Sequence, residues 1–265
     1  MTLDLARLAT EADGVAPFNE ASMRALRDED RQHLRVHEYD EIVAAVAVDD
    51  APVECVVHPR YRLQGRGRAL VETLIERGET RFWAHGDLPA AQHLALGVGL
   101  TPRRTLLVLR QTQRPAPGDR ASDPAVTIRP FAEADVEAII AVNAAAFAQH
   151  PEQGRMDRAD FERRRAEEWF DPAGLFVAEV DGRVAGFHWT KREGDLGEVY
   201  VVGVDPAAHG RGLGTALTDH GVQFLWDRGV SAIQLYVEGD NAAALGVYQR
   251  LGFTEHARDT LYALD

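Results

Sequence analysis

Apolar and polar residues alternate with two different periods along the second half of the chain. Apolar residues recur at helical spacing over three segments, 134–147, 212–228 and 242–251. Short runs rich in β-branched residues predict five strands, at 128–130, 175–180, 183–191, 198–204 and 232–237. Asp181-Gly182 favours the tight turn of a hairpin, and Gly252 is predicted to end the last helix. This alternation predicts an α/β fold with a mixed central sheet flanked by helices.

The first half of the chain repeats the second half. Segment 57–70 matches 204–217 at an offset of 147, with Val, Pro, two Gly, Ala and Leu at the same positions. Segments 82–87 and 99–101 match 235–240 and 252–254 at an offset of 153. Three matches in the same order predict a duplicated domain.

A polar, proline-rich segment at 111–125 separates the two copies and is predicted to be a linker. We therefore expect an N-terminal domain over 1–110 and a C-terminal domain over 126–265. A chain of 265 residues is long enough for two such cores.

Composition narrows the classes of function. A net charge of −13 argues against binding to nucleic acids or anionic membranes, which need basic surface. The only cysteine, Cys55, excludes an internal disulfide. No signal peptide and no apolar run of about 18 residues is visible in the sequence. We expect a cytoplasmic protein that acts as a monomer on a small molecule.

The strongest chemical signal is the glycine-rich loop at 205–214, between a predicted strand and a predicted helix. Backbone N–H groups at a helix N-terminus bind anions, and glycines let the backbone approach the anion closely. Arg211 would add a charge-assisted contact. The expected ligand is a pyrophosphate group.

Three alternatives exist for this loop. A dinucleotide-binding motif needs GxGxxG directly after the strand, whereas Asp205-Pro206-Ala-Ala intervenes here and Leu217 takes the third glycine position. A Walker A loop needs a final Gly-Lys-Ser/Thr, which is absent from the loop. A purely structural turn is the third alternative, and it is disfavoured because the pattern occurs in both copies.

The loop resembles the acetyl-CoA loop of the GNAT acetyltransferase family, usually Gln/Arg-x-x-Gly-x-Gly/Ala. The first copy has RLQGRG at 62–67 and the second has HGRGLG at 209–214. The second copy departs from the pattern at His209, which still offers a polar donor. Segment 239–253, with Asn241 followed by a helix that carries Tyr248, resembles the closing segment of the same family.

Four further segments resemble the mycothiol synthase family of tandem GNAT enzymes. They lie at 14–20, 150–154, 187–191 and 197–208. The resemblance covers most of the chain and includes the tandem arrangement. It implies transfer of acetyl from acetyl-CoA to the cysteinyl amine of cysteinyl-glucosaminyl-inositol, the last step of mycothiol biosynthesis. It implies no metal cofactor.

The resemblance also implies the residues that contact acetyl-CoA. In the second copy they are Val202, Gly203, Val204, His209, Gly210, Arg211, Gly212, Leu213, Gly214, Thr215, Asn241, Ala242, Ala243 and Ala244. In the first copy they are Cys55, Val56, Val57, Leu63, Gln64, Gly65, Arg66, Gly67 and Arg68.

Two residues of the second copy carry the proton transfers that the resemblance implies. An α-amine with a pKa near ~8 is mostly protonated at neutral pH and needs a base before it can attack a thioester. Glu198 is expected to be that base, through a water molecule. Tyr248 is expected to protonate the departing thiolate, and the N–H of Val202 to hold the oxyanion. The alternatives are a strand-end surface carboxylate and a tyrosine that packs in the core.

The first copy lacks both groups. The offsets pair Glu198 with Ala51 and Tyr248 with Ala95, and alanine cannot move a proton. The first copy keeps Gly65 and Gly67, so it could still bind acetyl-CoA. We expect this copy to be catalytically degenerate.

Substrate contacts implied by the resemblance are Glu20, Glu152, Lys191, Glu198 and Tyr236. For each, a solvated surface residue is the alternative. Glu20 belongs to the first copy, so its contact with substrate would place the active site at a domain interface.

Two other functions stay open at this point. The enzyme could acetylate another amine, such as a peptide N-terminus or an aminoglycoside, or the chain could be a non-enzymatic acetyl-CoA sensor. The presence of Glu198 and Tyr248 argues against a sensor. The sequence lacks GxSxG and HExxH motifs, so we expect direct transfer rather than covalent or metal-assisted hydrolysis.

Overall fold

The computed structural model describes residues 2–27, 34–115, 126–148 and 153–265. By its contacts the chain divides into two compact units. Unit 1 comprises Met1–Leu107, Glu238–Asp240 and Ala257–Asp265, and unit 2 comprises Val108–Val237 and Asn241–His256. The last nine residues are thus grouped with the N-terminal unit. The linker over 111–125 and the boundaries at 110 and 126 stay predictions.

Unit 1 is an α/β unit. Its helices are α1 (Thr2–Asp13), α2 (Glu20–Arg27), α3 (Arg66–Glu76) and α4 (Pro89–Gly97). Its first strands are β1 (Leu34–Tyr39), β2 (Val43–Val48), β3 (Val53–Val57) and β4 (Arg81–Ala84). Strand β5 (Thr101–Gln111) contributes its residues up to Leu107, and the C-terminal strand β11 (Thr254–Ala263) contributes its residues from Ala257.

The sheet of unit 1 is mixed. Strand β2 pairs antiparallel with β1 and β3, β3 pairs parallel with β4, and β4 pairs antiparallel with β11. The two faces bury different helices because successive side chains of a strand point to opposite faces. Ala44 and Val46 pack with apolar residues of α1 and α2, whereas Ala45 and Ala47 pack with those of α3.

Unit 2 has the same class of architecture. Its helices are α5 (Val136–Ala146), α6 (Arg158–Arg165), α7 (Leu213–Asp227) and α8 (Ala242–Arg250). Its strands are β6 (Val126–Pro130), β7 (Leu175–Val180), β8 (Arg183–Glu193), β9 (Leu196–Val204) and β10 (Ala232–Glu238). Strands β6 to β9 form an antiparallel meander, and β10 pairs parallel with β9.

The predicted hairpin of unit 2 has the expected turn. Asp181 and Gly182 both have positive φ, at 51° and 73°, as a type I′ turn requires. Gly252, with a φ of 87°, follows the last helix directly after its C-cap residue Leu251. Each predicted helix and strand of this half is present, with ends that shift by a few residues. Strand β11 was not among the predicted elements.

Within the described part of the chain, no helix combines the length and the hydrophobicity that a membrane span requires.

Candidate active site

The glycine-rich loop of unit 2 presents the start of a helix. After β9, Asp205 caps a short 3₁₀ helix (Pro206–Ala208), because its carboxylate accepts the N–H of Ala207 at 2.9 Å. Gly210 and Gly212 then take left-handed conformations, with φ of 80° and 75°. Helix α7 begins at the next residue, Leu213, with Gly212 as its N-cap. A glycine N-cap leaves the first N–H groups without a side-chain cap, which suits an anion.

The loop of unit 1 has the same backbone geometry. His58 caps the 3₁₀ helix Pro59–Tyr61 by accepting the N–H of Arg60 at 3.1 Å. Leu63 and Gly65 have φ of 59° and 78°, at the positions of Gly210 and Gly212 in the second loop. Leu63 is fully exposed, so no packing explains a conformation that costs an L-residue roughly 1–2 kcal/mol. The two loops thus share a backbone shape that suits an anion, and the predicted cofactor contacts in both stay predictions.

A glycine in the first turn of the helix after each loop keeps the groove beside that helix open. A Cβ on Gly67 would lie 3.3 Å from the side chain of Val57 on β3 and 3.4 Å from that of Leu94 on α4. A Cβ on Gly214 would lie 3.9 Å from the side chain of Val204 on β9. Any larger side chain would therefore occupy the space between helix and strand where the arm of coenzyme A is expected.

The parallel strands of unit 2 separate beside this loop. Strand β9 pairs with β10 through Leu196, Gly197 and Glu198, and no further pair between the two strands occurs among the described residues. The register between β8 and β9 shifts at Tyr200, which lies between the paired residues Val199 and Val201. Such bulges bend a strand and re-aim its side chains near functional sites. Val202, Gly203 and Val204 thus face the opening with their β10 side unpaired.

Glu198 lies at the last paired position, where three strands meet. Its partner on β8 is Lys191 and its partner on β10 is Gln234. The side-chain amide of Gln234 donates to the Glu198 carboxylate at 3.3 Å. Arg110 in turn donates to the amide oxygen of Gln234 at 3.0 Å. The carboxylate is thus oriented by a neutral donor, and the guanidinium fixes that donor.

Lys191 is held by aromatic rings. Its side chain is 6% exposed, and its Nζ lies 5.2 Å from the ring centre of Trp169 and 6.0 Å from that of Tyr200. Nζ also lies 3.1 Å from the carboxylate of Glu193. Ring faces attract a desolvated ammonium, so they fix the position of this charge on the strand next to Glu198.

Tyr248 lies on α8 and packs edge-to-face against Phe253, with ring centres 6.0 Å apart. Burial raises the pKa of the Tyr248 phenol to about 12. The hydroxyl is therefore protonated at neutral pH, as a proton donor must be. Asn241 caps the same helix, because its side chain accepts the N–H of Ala244 at 3.1 Å. This contact gives Asn241 a structural role besides the predicted cofactor contact.

The other predicted substrate contacts are more scattered. Tyr236 follows Gln234 on β10 and is 47% exposed, which is high for a large ring. Glu20 begins α2 in unit 1 and forms an exposed ion pair with Arg24 at 3.4 Å. Glu152 lies outside the described residues.

Unit 1 contains a cavity of about 500 Å³ beside its own loop. Of the predicted first-copy cofactor contacts, its lining includes Cys55, Val56, Val57, Leu63, Gly65, Arg66, Gly67 and Arg68. Gln64 is not in the lining. Burial raises the pKa of the Cys55 thiol to about 12, so this side chain is an apolar wall rather than a nucleophile.

A buried ion cluster near this cavity was not predicted. His85, which lines the cavity, places Nε2 at 2.6 Å from Glu54 and Nδ1 at 3.0 Å from Asp259. Burial alone would lower the pKa of His85, but hydrogen bonds to Asp259 and Glu54 outweigh it and raise the pKa to about 9. The imidazole is therefore a cation at neutral pH, with both nitrogens engaged.

The partners of Glu198 and Lys191 were also not predicted from the sequence. Gln234 had a usable signal, since it is the one polar residue in the apolar run 232–237. Arg110 and Trp169 had none, because they meet the site only through strand register and a loop.

The fold is a mixed sheet whose parallel pair opens beside a glycine-rich loop and a helix N-terminus. This is the fold of acetyl-CoA-dependent acyltransferases, and the chain contains it twice. The chain belongs to the Acetyltransferase (GNAT) family, whose model matches residues 3–97 and 143–253. The chain is 48% identical to the Mycothiol acetyltransferase of Thermomonospora curvata, over 98% of this chain and 91% of that protein. It is 46% identical to the Mycothiol acetyltransferase of Mycolicibacterium paratuberculosis, over 98% and 92%. The family predicted from the motifs is confirmed.

Solved structures agree on the tandem fold. A GCN5-related N-acetyltransferase from Sphaerobacter thermophilus matches with a TM-score of 0.72 at 23% identity, over 97% of this chain and 90% of that one. A tandem GNAT protein from the clavulanic acid biosynthesis pathway matches with a TM-score of 0.69 at 19% identity, over 98% and 92%. The predicted fold class, two GNAT domains with a mixed sheet and flanking helices, is confirmed.

Proposed function

We propose that this protein is a mycothiol acetyltransferase, which transfers acetyl from acetyl-CoA to the cysteinyl amine of cysteinyl-glucosaminyl-inositol. The observation that carries the proposal is the 48% identity to the Thermomonospora curvata protein of that name, because the match extends over 98% of the chain and so includes both units. The acceptor is a small molecule, and we propose that the chain acts as a cytoplasmic monomer.

Acetyl-CoA is proposed to bind unit 2 along the loop at 209–215 and the open edge of β9. The N–H groups at the start of α7 and the side chains of His209 and Arg211 would hold the pyrophosphate. Unpaired backbone of Val202 to Val204 would pair with the pantetheine arm, and residues 241–244 would close over it. Acetyl-CoA supplies the activated acyl group, and the chain's residues orient it and move protons.

Glu198 is proposed to take the proton from the acceptor amine, through a water molecule. The neutral amide of Gln234 supports this role, because it orients the carboxylate without neutralising it. Lys191, fixed by Trp169 and Tyr200, would hold a hydroxyl or carbonyl oxygen of the acceptor. Glu20, Glu152 and Tyr236 are proposed as further acceptor contacts.

Tyr248 is proposed to protonate the CoA thiolate as it leaves. Its phenol is protonated at neutral pH and so has a proton to donate, although the raised pKa makes it a weaker acid than a solvated tyrosine. The N–H of Val202 would stabilise the oxyanion of the tetrahedral intermediate. The transfer then needs no covalent acyl-enzyme.

Unit 1 is proposed to bind coenzyme A without catalysing transfer. Its loop has the same geometry as that of unit 2, which supports binding. Ala51 and Ala95 stand where unit 2 has Glu198 and Tyr248, which supports the absence of chemistry.

The test is a measurement of CoA release from acetyl-CoA across a panel of acceptors. The panel comprises cysteinyl-glucosaminyl-inositol, the same sugar without cysteine, a peptide N-terminus and an aminoglycoside. We expect the first acceptor to exceed the others in kcat/KM by a factor of about 100 or more, because only it offers both the cysteinyl amine and the sugar, and the loss of either leaves polar groups of the site unpaired. Equal rates would indicate a different amine acceptor, and no turnover with tight acetyl-CoA binding would indicate a sensor.

A further inference from the structure

We propose that unit 1 binds a CoA thioester whose acyl group is longer and more apolar than acetyl. The inference rests on the proposal that the loop at 62–68 binds coenzyme A, and it adds the class of acyl group. It is carried by the shape and lining of the cavity in unit 1.

The cavity connects the anion loop to the hydrophobic core. Gly65 and Gly67 line it at the loop. Five members of the core cluster also line it, and each of them is less than a tenth exposed: Val71, Phe82, Ala95, Leu100 and Tyr262. A ligand that enters at the loop therefore meets an apolar wall at the inner end of the cavity.

Comparison of the two copies explains where the space comes from. In unit 2 the ring of Tyr248 packs against the ring of Phe253. At the offset of 153 the first copy has Ala95 and Leu100 at these positions, and both line the cavity. Two aromatic side chains have been replaced by two smaller aliphatic ones, so the space that a phenol fills in unit 2 is accessible to a ligand in unit 1.

Two of the charged side chains that line this cavity, Arg62 and His85, have partners within unit 1. Arg62 forms two hydrogen bonds with the carboxylate of Asp13, at 2.5 and 2.8 Å. His85 is engaged at both nitrogens by Glu54 and Asp259. The protonated thiol of Cys55 adds a further weakly polar surface. The inner wall thus favours carbon over oxygen in the group that fills it.

A longer acyl chain covers more of this apolar wall than an acetyl group does. Each additional methylene buried on such a wall tightens binding roughly fourfold. We therefore expect butyryl-CoA to bind unit 1 roughly tenfold more tightly than acetyl-CoA, and hexanoyl-CoA more tightly again.

The experiment is calorimetric titration of the full chain with acetyl-CoA, butyryl-CoA and hexanoyl-CoA. The Gly67→Asp variant identifies the binding step that belongs to unit 1, because it places a carboxylate in that groove. We expect two equivalents bound by the unmodified chain and one by Gly67→Asp, with the preference for longer acyl groups in the lost equivalent. Ala95→Tyr should reduce hexanoyl-CoA affinity at this step to that of acetyl-CoA, and the matched control Leu96→Tyr, at an exposed position of the same helix, should not.

The outcomes separate the two proposals. If the step lost in Gly67→Asp shows equal affinity for all three thioesters, the acyl preference is overturned while the coenzyme A site of unit 1 stands. If the unmodified chain binds only one equivalent and Gly67→Asp binds the same one, unit 1 has no such site and both statements about it are overturned. The acyl series on the unmodified chain decides the preference even where Ala95→Tyr does not fold.

Discussion

Glu198 and Lys191 are neighbours across two strands, yet different kinds of partner fix them. The guanidinium of Arg110 donates to the amide oxygen of Gln234, and the amide nitrogen of Gln234 donates to the Glu198 carboxylate. An amide donor orients the carboxylate and leaves it ionised. At the residue scale, the arrangement suits a group that must accept a proton.

Replacement of Glu198 tests that role. Glu198→Gln keeps the shape and a hydrogen-bonding partner for Gln234 but removes the base. We expect kcat/KM at pH 7 to fall by roughly 10²–10⁴, and to recover partly towards pH 9 as the free amine accumulates. The measurement is the initial rate of CoA release from pH 6.5 to 9.5.

Glu137→Gln serves as the matched control, since it neutralises an exposed carboxylate of α5 that pairs with Arg158. Its rate profile should follow that of the unmodified chain. A Glu198→Gln profile that coincides with the control would return Glu198 to the status of a strand-end carboxylate.

Residue types could be predicted from the sequence where a motif fixes their spacing, as in the loop at 209–214. Partners set by strand register could not. Gln234 lies beside Glu198 only because β10 pairs with β9 in one particular register, and Trp169 reaches Lys191 from a segment with no motif. The left-handed conformation of Leu63 was equally invisible, since leucine rarely takes it.

At the scale of elements, the ion cluster of His85 joins three parts of the sheet of unit 1. Glu54 lies on β3, His85 directly follows β4, and Asp259 lies on β11, while Gly86 also donates its N–H to Asp259 at 2.8 Å. Asn19, just before α2, donates its N–H to Glu54 at 3.1 Å. The cluster thus fastens the C-terminal strand to elements from the start of the chain.

The ion cluster of His85 predicts a free energy of unfolding that depends on pH. The pKa of His85 is about 9 when folded and near 6.5 in the unfolded chain, so the folded state binds the proton more tightly. The contribution of the His85 charge to the free energy of unfolding is fully present below about pH 6.5 and is lost as the pH rises through about 9. We expect roughly 1–3 kcal/mol of unfolding free energy to disappear between pH 6.5 and 9.5.

Urea unfolding of the unmodified chain and of His85→Gln at a series of pH values measures this effect. The difference in unfolding free energy between the two should be largest near pH 6.5 and should shrink towards pH 9.5. A difference that stays constant over this range would show that His85 contributes through packing rather than through its charge.

Strand and helix types followed from periodicity wherever the pattern was long, as in α7, and turn chemistry identified the β7–β8 hairpin. Strand β11 was not predicted from the sequence, because buried and exposed positions alternate clearly only over its last residues. Its first residues are mostly exposed. The grouping of its later part with unit 1 depends on pairing with β4, which lies about 180 residues earlier and which no local pattern encodes.

At the scale of the whole molecule, the two copies share the geometry of the loop but differ in the groups proposed for proton transfer. Both keep the 3₁₀ helix, the two left-handed residues and the glycine of the first helical turn. Only the second keeps a carboxylate and a phenol at the proposed catalytic positions. This pattern supports the proposal that binding and chemistry are separated between the copies.

Equivalent substitutions in the two loops test that separation. Gly67 and Gly214 occupy the same position in the two copies, and aspartate at either would place a carboxylate in the groove where the arm of coenzyme A is proposed to bind. We expect Gly214→Asp to lower kcat/KM for acetyl-CoA by a factor of about 100 or more, because the introduced carboxylate repels the phosphates of coenzyme A. We expect Gly67→Asp to change kcat by no more than about threefold, because the same repulsion weakens binding only in its own copy. Steady-state kinetics on both variants, with thermal unfolding to verify that each is folded, make the comparison. Each variant carries the same change in charge and volume, so each is the control for the other. A folded Gly67→Asp chain that loses turnover as fully as Gly214→Asp would show that the first copy takes part in the reaction.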